Sequence, residues 1–321
     1  MLLRCMSNYY VLLNGIRCFS SKQCIVYTTS VTDPFYNLAF EEWMFRKVDF
    51  TKTNCLFIWR SQPSVVIGRH QNPWKECRVN DTISDEINLC RRSSGGGAVY
   101  HDLGNLNFTF FNEKSEYNTK RNLKLITRGL RETWPFLDVD VNRRDDIILN
   151  KRYKISGTAA RLGRRSCYHH CTLLVSTNKS NLTKYLHPNK LNLTSIATDS
   201  VRSTVRNLSD EDNTINCKNV SNAVTQVYVR QFSGAKYYEI DTKSEQLLTG
   251  VTEIAKELLQ WEWVYGKTPK FTYEFDYYHE KSEQTFPITL EVKEGIVSNI
   301  TVQGDEIPFS MESFIGKKFS P

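Results

Sequence analysis

Two clusters of residues in this chain have the types and spacing to do chemistry. The first runs Arg91-Arg92-Ser93-Ser94-Gly95-Gly96-Gly97-Ala98-Val99-Tyr100-His101-Asp102-Leu103-Gly104-Asn105. Three consecutive glycines let a backbone approach a ligand closely and take up angles closed to other residues. The run is not a phosphate-binding P-loop, which ends Gly-Lys-Ser/Thr, and no third spaced glycine makes it a dinucleotide fingerprint. Arginines before the glycines and His101-Asp102 after them point to an anion-containing ligand rather than a plain hairpin loop. The second cluster is Arg144-Asp145-Asp146, then Lys154-Ile155-Ser156-Gly157-Thr158-Ala159, then Arg161, Arg164, Arg165, His169, His170, Cys171 and Thr172. A lysine at a strand end beside Ser and Gly is placed to meet a phosphate, or a carbonyl oxygen as charge develops on it. Asp146 reads as a metal contact, a ribose contact or the partner of Arg144. On a strand successive side chains alternate faces, so one of His169 and His170 lines a ligand while the other supports packing.

The elements that must position these residues follow from the pattern. Asp33-Pro34 is a helix cap followed by a first-turn proline, and predicts a helix from Pro34 to about Lys47. Cys55–Trp59 and Val65–Ile67 read as short strands around a Pro63 turn, Leu89–Arg92 leads into the glycine loop, and Leu106–Phe111 alternates like a strand. Leu123, Ile126, Leu130 and Trp134 mark a helix from about Asn118 to Trp134. Ile147–Leu149 and Thr172–Val175 are further strands. Helices are expected near Asn219–Gln231 and Ser244–Trp261, the second running through Gly250, and strands at Phe271–Tyr277, Phe286–Val292 and Ile296–Gln303. The expected division is a presequence over residues 1–30, a catalytic domain over 31–245, and a linker helix with a small accessory domain over 246–321.

Composition bounds the function. With 321 residues, 40% hydrophobic and 24% charged, the chain is an ordinary globular protein and not a disordered or fibrous one. Its net charge of +7 suits an anionic ligand or an acidic partner. The basic residues Arg161–Arg165 come without the aromatic array or helix-turn-helix spacing of a nucleic-acid binder, so no nucleic-acid partner is expected. Residues 1–30 carry Arg4, Arg17 and Lys22, no acid, and no solid apolar core, which describes a mitochondrial presequence. No run is apolar enough to span a membrane. Nine cysteines without a framework read as reduced thiols, and Cys167 and Cys171 around two histidines lack the partner pair of a zinc site, so no metal ligands are assigned.

Three runs together carry a family resemblance. They are Arg91 to Asn105, the Lys154–Ala159 run with its His169-His170-x-Thr172-Leu173-Leu174 end, and Val201-Arg202-Ser203-x-Val205-x-Asn207-Leu208. These resemble the lipoate-protein ligase family, and within it the mitochondrial lipoyltransferase branch. Trp261-Glu262-Trp263-x-Tyr265-Gly266-Lys267-Thr268-Pro269-Lys270-Phe271 resembles the entry into that family's C-terminal accessory domain. The resemblance implies an α/β (α+β) fold of the biotin and lipoate ligase type, a mixed sheet backed by helices, with a small accessory α+β domain.

It also implies lipoyl-AMP as a substrate, no permanently bound cofactor and room for Mg²⁺; a monomer is the default expectation, since nothing in the sequence fixes an oligomer. The acceptor implied is a lysine on the lipoyl domain of 2-oxoacid dehydrogenase complexes, with the lipoylated glycine-cleavage H protein as an alternative donor. By the family's pattern Lys154 is the catalytic residue beside the reacting carbonyl and phosphate. Arg92 and Ser94 belong to the ligand loop, Gly95, Gly96 and Gly97 let its backbone come close, and His170 contacts the lipoyl end. Ala98, His101, Asp102, Asn105, Asp146, Ser156, Gly157, Thr158, Ala159 and Thr172 complete the expected ligand-binding set.

Three departures bear on the activity. Arg144-Asp145-Asp146 replaces the Arg-Asn-Asp of full ligases, Ile196-Ala197-Thr198-Asp199-Ser200 replaces their Lys-Gly-Ile-Thr-Ser, and Cys171 replaces a glycine. These favour a transferase that accepts an already activated lipoyl group over a full ATP-dependent ligase. A cysteine-dependent octanoyltransferase, with Cys171 as nucleophile, and a catalytically silent lipoyl-domain binder are the remaining alternatives.

Overall fold

In the computed structural model, residues 22–188, 191–232, 235–304 and 307–320 are described. The Asp33 carboxylate accepts from the backbone N–H groups of Phe35, at 3.0 Å, and Tyr36, so the first helix begins at Pro34 and runs to Lys47 as its cap requires. Asn118 caps the Thr119–Thr133 helix through the Arg121 N–H, and Asn216 caps Cys217–Gln231 through that of Asn219. The chain forms two compact units. One comprises the described part up to Ser64 with His101–Leu182 and Val201–Ala255; the other comprises Val65–Tyr100, Thr183–Ser200 and Lys256–Pro321.

The first unit is built on a six-stranded mixed sheet. Its order is Ser156–Leu162, Ser166–Leu174, Asn105–Glu113, Thr53–Trp59, Gln23–Thr28 and Lys236–Glu239. The first four strands pair antiparallel, and Gln23–Thr28 pairs parallel with both of its neighbours. One face carries Val26, Leu56, Ile58, Leu106, Phe108, Phe110, Cys171 and Leu173. It packs under the Thr119–Thr133 and Cys217–Gln231 helices, whose Leu123, Ile126, Leu130, Val220, Val224 and Val227 complete the core. The opposite face lies toward the Pro34–Lys47 helix, with Phe40 edge-on to Phe57 at 4.7 Å. A small antiparallel sheet, Val139–Val141, Ile147–Leu149 and Tyr153–Lys154, completes the unit.

The second unit holds a three-stranded sheet ordered Asn88–Arg91, Ser64–Ile67, Val99–His101. A four-stranded antiparallel sheet follows the order Leu193–Ser195, Phe271–His279, Gln284–Lys293, Ile296–Val302. The mixed α+β architecture expected from the sequence is therefore present.

Three sequence readings need correction. Gln23–Thr28 is an interior strand with Val26 fully buried, so the segment read as presequence overlaps the folded sheet; its remainder, residues 1–21, lies outside the described residues. The expected Ser244–Trp261 helix is two shorter ones, Val251–Leu259 and Trp261–Val264. Gly250 has φ +92°, which no right-handed helix contains, and Leu247 before it is exposed. The edge strand Lys236–Glu239 escaped notice because it is mostly solvent-facing and carries no alternation to read. Among the described residues no helix is long and apolar enough to cross a membrane.

Candidate active site

Side chains on the helix-facing side of the first unit's sheet fall into register rows. Trp59, Asn107, Thr172 and Gly157 stand opposite one another across four strands, and so do Phe57, Thr109, His170 and Ala159. Opposed residues in an antiparallel pair point to the same face, so each row ends at the edge strand in a residue with little or no side chain. Gly157 and Ala159 thus set little or no side chain beside Thr172 and His170. Thr172 Oγ1 accepts from the Gly157 N–H at 2.8 Å, which pins the edge strand. Ser156 does the same from the other side, its Oγ accepting from the Ile147 N–H at 2.7 Å, and Thr158 Oγ1 donates to the Asp145 carbonyl at 3.3 Å.

Lys154 stands just before this strand. Its Nζ is 2.6 Å from Asp146 Oδ1, with both side chains largely shielded, and its own N–H donates to the Thr204 carbonyl at 2.9 Å. Asp146 is fixed in turn by Asn142, whose Oδ1 accepts from the Asp146 N–H at 2.9 Å and the Arg144 N–H at 2.8 Å. The structure pairs Asp146 with Lys154 and not with Arg144, a partner that the sequence reading does not name. Asp145 has φ +61°, the left-handed region in which Asn and Asp are the best tolerated non-glycine residues. An Asn-to-Asp exchange there keeps the backbone and changes only the charge.

Asp102 acts within its own loop. Its two carboxylate oxygens accept from the Gly104 N–H at 2.9 Å and the Asn178 N–H at 2.8 Å, and its carbonyl accepts from the Asn105 N–H. Asn105 Nδ2 donates to Asn107 Oδ1 at 3.1 Å, and His101 is buried with its ring edge-on to Trp59 at 5.7 Å.

The glycine loop belongs to the second unit. Arg92 spends its guanidinium on that loop: Nε and Nη2 reach Ser94 Oγ and the carbonyls of Gly95 and Gly97, and Nη1 donates to the Val66 carbonyl. Gly96 has φ +84°, and a side chain on Gly68 would meet the Gly96 carbonyl oxygen at 2.1 Å. The Ala98 N–H donates to Ser200 Oγ at 2.8 Å, Gln71 Nε2 donates to the same oxygen at 3.0 Å, and Asp199 pairs with Lys75 at 2.7 Å. The segment that departs from the full-ligase pattern is thus tied directly to the glycine loop.

The sequence pattern of the lipoyl protein ligase A/B catalytic domain matches residues 33–229. The chain belongs to this family. It is 41% identical to the mitochondrial lipoyl amidotransferase LIPT1 of Mus musculus, covering 90% of this chain and 80% of that one. It is 40% identical to its namesake in Homo sapiens, covering 94% and 83%. The crystal structure of P. falciparum LipL1 in complex with lipoate aligns with a TM-score of 0.66 at 26% identity, over 92% of this chain and 91% of that one.

Several features of this lipoyl protein ligase domain were not legible in its sequence. Glu41 and Glu42 are both buried on the first helix. Glu41 contacts His170, and Glu42 pairs with Arg46 and Arg161. Only their position on the buried face of the Pro34–Lys47 helix, once the core is known, marks them out.

Cys171 points into the core and burial drives its thiol pKa far up, which removes it as a nucleophile and with it the basis of the octanoyltransferase alternative. Among the described residues no three His, Cys, Asp or Glu side chains gather as a metal site. A Mg²⁺ using Asp146 would compete with the Lys154 ammonium.

His169 sits on the core face, its ring stacked on Phe110 and its Nδ1 accepting from Asn122 Nδ2 at 3.3 Å. Burial pushes its pKa down to about 3. An unfolded histidine titrates near 6.5. Stability is therefore complete above that pH and falls as pH drops toward the folded value, by about 1.4 kcal/mol per pH unit for this one group. His169→Gln is expected to flatten the loss between pH 6.5 and 4.5, measured by urea unfolding at the two pH values. An unchanged slope would contradict the assignment.

Proposed function

We propose that this chain transfers a lipoyl group from lipoyl-AMP, or from a lipoylated glycine-cleavage H protein, to the acceptor lysine of 2-oxoacid dehydrogenase lipoyl domains. The observation that carries the reading is the shielded Lys154 ammonium, held on Asp146 two residues before the edge strand that sets Gly157 and Ala159 opposite Thr172 and His170. A lipoyl-adenylate is a mixed anhydride with a good leaving group, so the enzyme has to place an amine and stabilise the oxyanion that forms. The neutral acceptor amine attacks the carbonyl carbon, Lys154 donates to the developing negative oxygen, the bond from the carbonyl carbon to the phosphate oxygen breaks, AMP leaves with the electron pair, and the nitrogen releases one proton to solvent to give the neutral amide. An ammonium keeps donors beyond the one spent on Asp146.

Lys154 is read as an electrostatic catalyst and not as a covalent nucleophile. The acyl chain would run past Gly157 and Thr172 toward Ala159 and His170. The two mitochondrial relatives support a mitochondrial location; the matrix is proposed within it. There a reducing environment agrees with seven described cysteines that are all free thiols. Incubating the purified protein with synthetic lipoyl-AMP and an apo lipoyl domain tests the reading. One lipoyl increment on the domain is expected by intact mass, and a domain left unmodified both by lipoyl-AMP and, in a parallel incubation, by lipoylated glycine-cleavage H protein would refute it.

A further inference from the structure

We propose that Glu41, held by Thr109 and Trp59, is a positioning residue that fixes which nitrogen of His170 carries the proton, and so sets selectivity for the lipoyl over the octanoyl group. The inference rests on the transfer reading above and adds residues which that reading does not use.

Four side chains form a directed chain on the helix-facing side of the sheet. Trp59 Nε1 is 3.1 Å from Thr109 Oγ1, Thr109 Oγ1 meets Glu41 Oε1, and Glu41 Oε1 and Oε2 are 3.0 and 3.2 Å from His170 Nδ1. An indole N–H can only donate, so the Thr109 hydroxyl accepts from Trp59 and directs its own proton to Glu41. A carboxylate only accepts, so His170 Nδ1 is the nitrogen that bears the proton. Trp59 sets the direction of the Thr109 bond and the ionised Glu41 sets that of the His170 bond, and Glu41 is only 1% exposed. Register makes the arrangement: Thr109 stands opposite both Phe57 and His170, and the carboxylate descends onto that row from the first helix.

The consequence for selectivity lies in where the row falls. Ala159 and His170 are two residues farther along the ladder than Gly157 and Thr172, roughly 6.6 Å at strand rise. An eight-carbon acyl chain with its carbonyl at Lys154 brings its far end toward His170. Lipoyl and octanoyl groups differ only there, a dithiolane against a methyl-ended chain. Sulfur atoms are polarisable and accept weak hydrogen bonds, so they sense the proton arrangement and orientation of an imidazole; a methyl group gains nothing from either.

The test pairs a structural with a kinetic readout. Histidine-labelled NMR of the wild-type protein should show His170 protonated at Nδ1, and Glu41→Gln, which can set an amide N–H against that nitrogen, should abolish that signature. With lipoyl-AMP and octanoyl-AMP as donors and one apo lipoyl domain as acceptor, the lipoyl-to-octanoyl ratio in kcat/KM should fall at least tenfold in Glu41→Gln. Thr109→Val, which keeps shape and removes only the hydroxyl, should lower it at least threefold and serves if the Gln variant does not fold. A wild-type His170 protonated only at Nε2, or an unchanged ratio in a folded variant, would overturn the proposal. A wild-type protein that transfers neither group would overturn the function reading and the selectivity claim together, while the NMR result would still judge the proton assignment.

Discussion

Lys154→Ala is expected to lower the rate of lipoyl transfer from lipoyl-AMP by about 100- to 1,000-fold, the scale on which removal of one oxyanion donor acts. Nothing in the fold depends on this ammonium in proportion. The Lys154 backbone is held by Thr204 and by a bridge to Val205 whatever the side chain, and Asp146 keeps its Asn142 contacts when its partner leaves. The variant should therefore melt within a few degrees of wild type, and the loss should appear in kcat. Lys154→Arg should recover only part of the rate, because a planar fork does not place a point charge where an ammonium does. A folded Lys154→Ala protein with near-normal kcat would end the role given to this residue.

Arg91→Met should have the largest effect on stability. Arg91 is completely buried, and each nitrogen of its guanidinium is engaged. Nε donates to the Val264 carbonyl at 2.8 Å, Nη1 reaches the carbonyls of Gly68, Arg69 and Gln71, and Nη2 donates to Thr268 Oγ1 at 3.0 Å. Its own carbonyl accepts from Trp263 Nε1 at 2.6 Å. Burial lowers its pKa to about 10, which still leaves it charged at neutral pH. Methionine preserves much of the volume but strips partners from several carbonyls, at a cost of about 3–5 kcal/mol. A fall in melting temperature of roughly 10 °C is expected by calorimetry. A loss of only a degree or two would mean that those carbonyls find other donors.

Arg91 also shows where sequence reading stops. Two arginines before three glycines suggest a site for an anion, yet both guanidiniums bind backbone carbonyls of the second unit. Charge is visible in a sequence; what neutralises or solvates it depends on contacts more than a hundred residues away. The same limit hid Glu41, whose partners Thr109 and His170 come from two separate strands.

Local signals fared better. Asp33-Pro34 marked the first helix to the residue, and the apolar runs Cys55–Trp59, Ile147–Leu149 and Phe286–Val292 all lie within strands. The alternation rule separated His169 from His170, which occupy opposite faces as two neighbours on a strand must. Failures came where periodicity persisted without the backbone to support it, at Gly250, or where a strand carried no pattern, at Lys236–Glu239.

The central claim is that this chain transfers an activated lipoyl group and does not itself activate lipoate. The most direct measurement compares three donors with one apo lipoyl domain by intact mass: synthetic lipoyl-AMP, lipoylated glycine-cleavage H protein, and lipoate with ATP and Mg²⁺. The Lys154→Ala protein run beside them gives the background. Modification from lipoyl-AMP or the H protein, with none from lipoate and ATP, is the predicted result. Brisk modification from lipoate and ATP would contradict it and make the protein a full ligase whose Asp145, Ile196 and Asp199 leave adenylation intact.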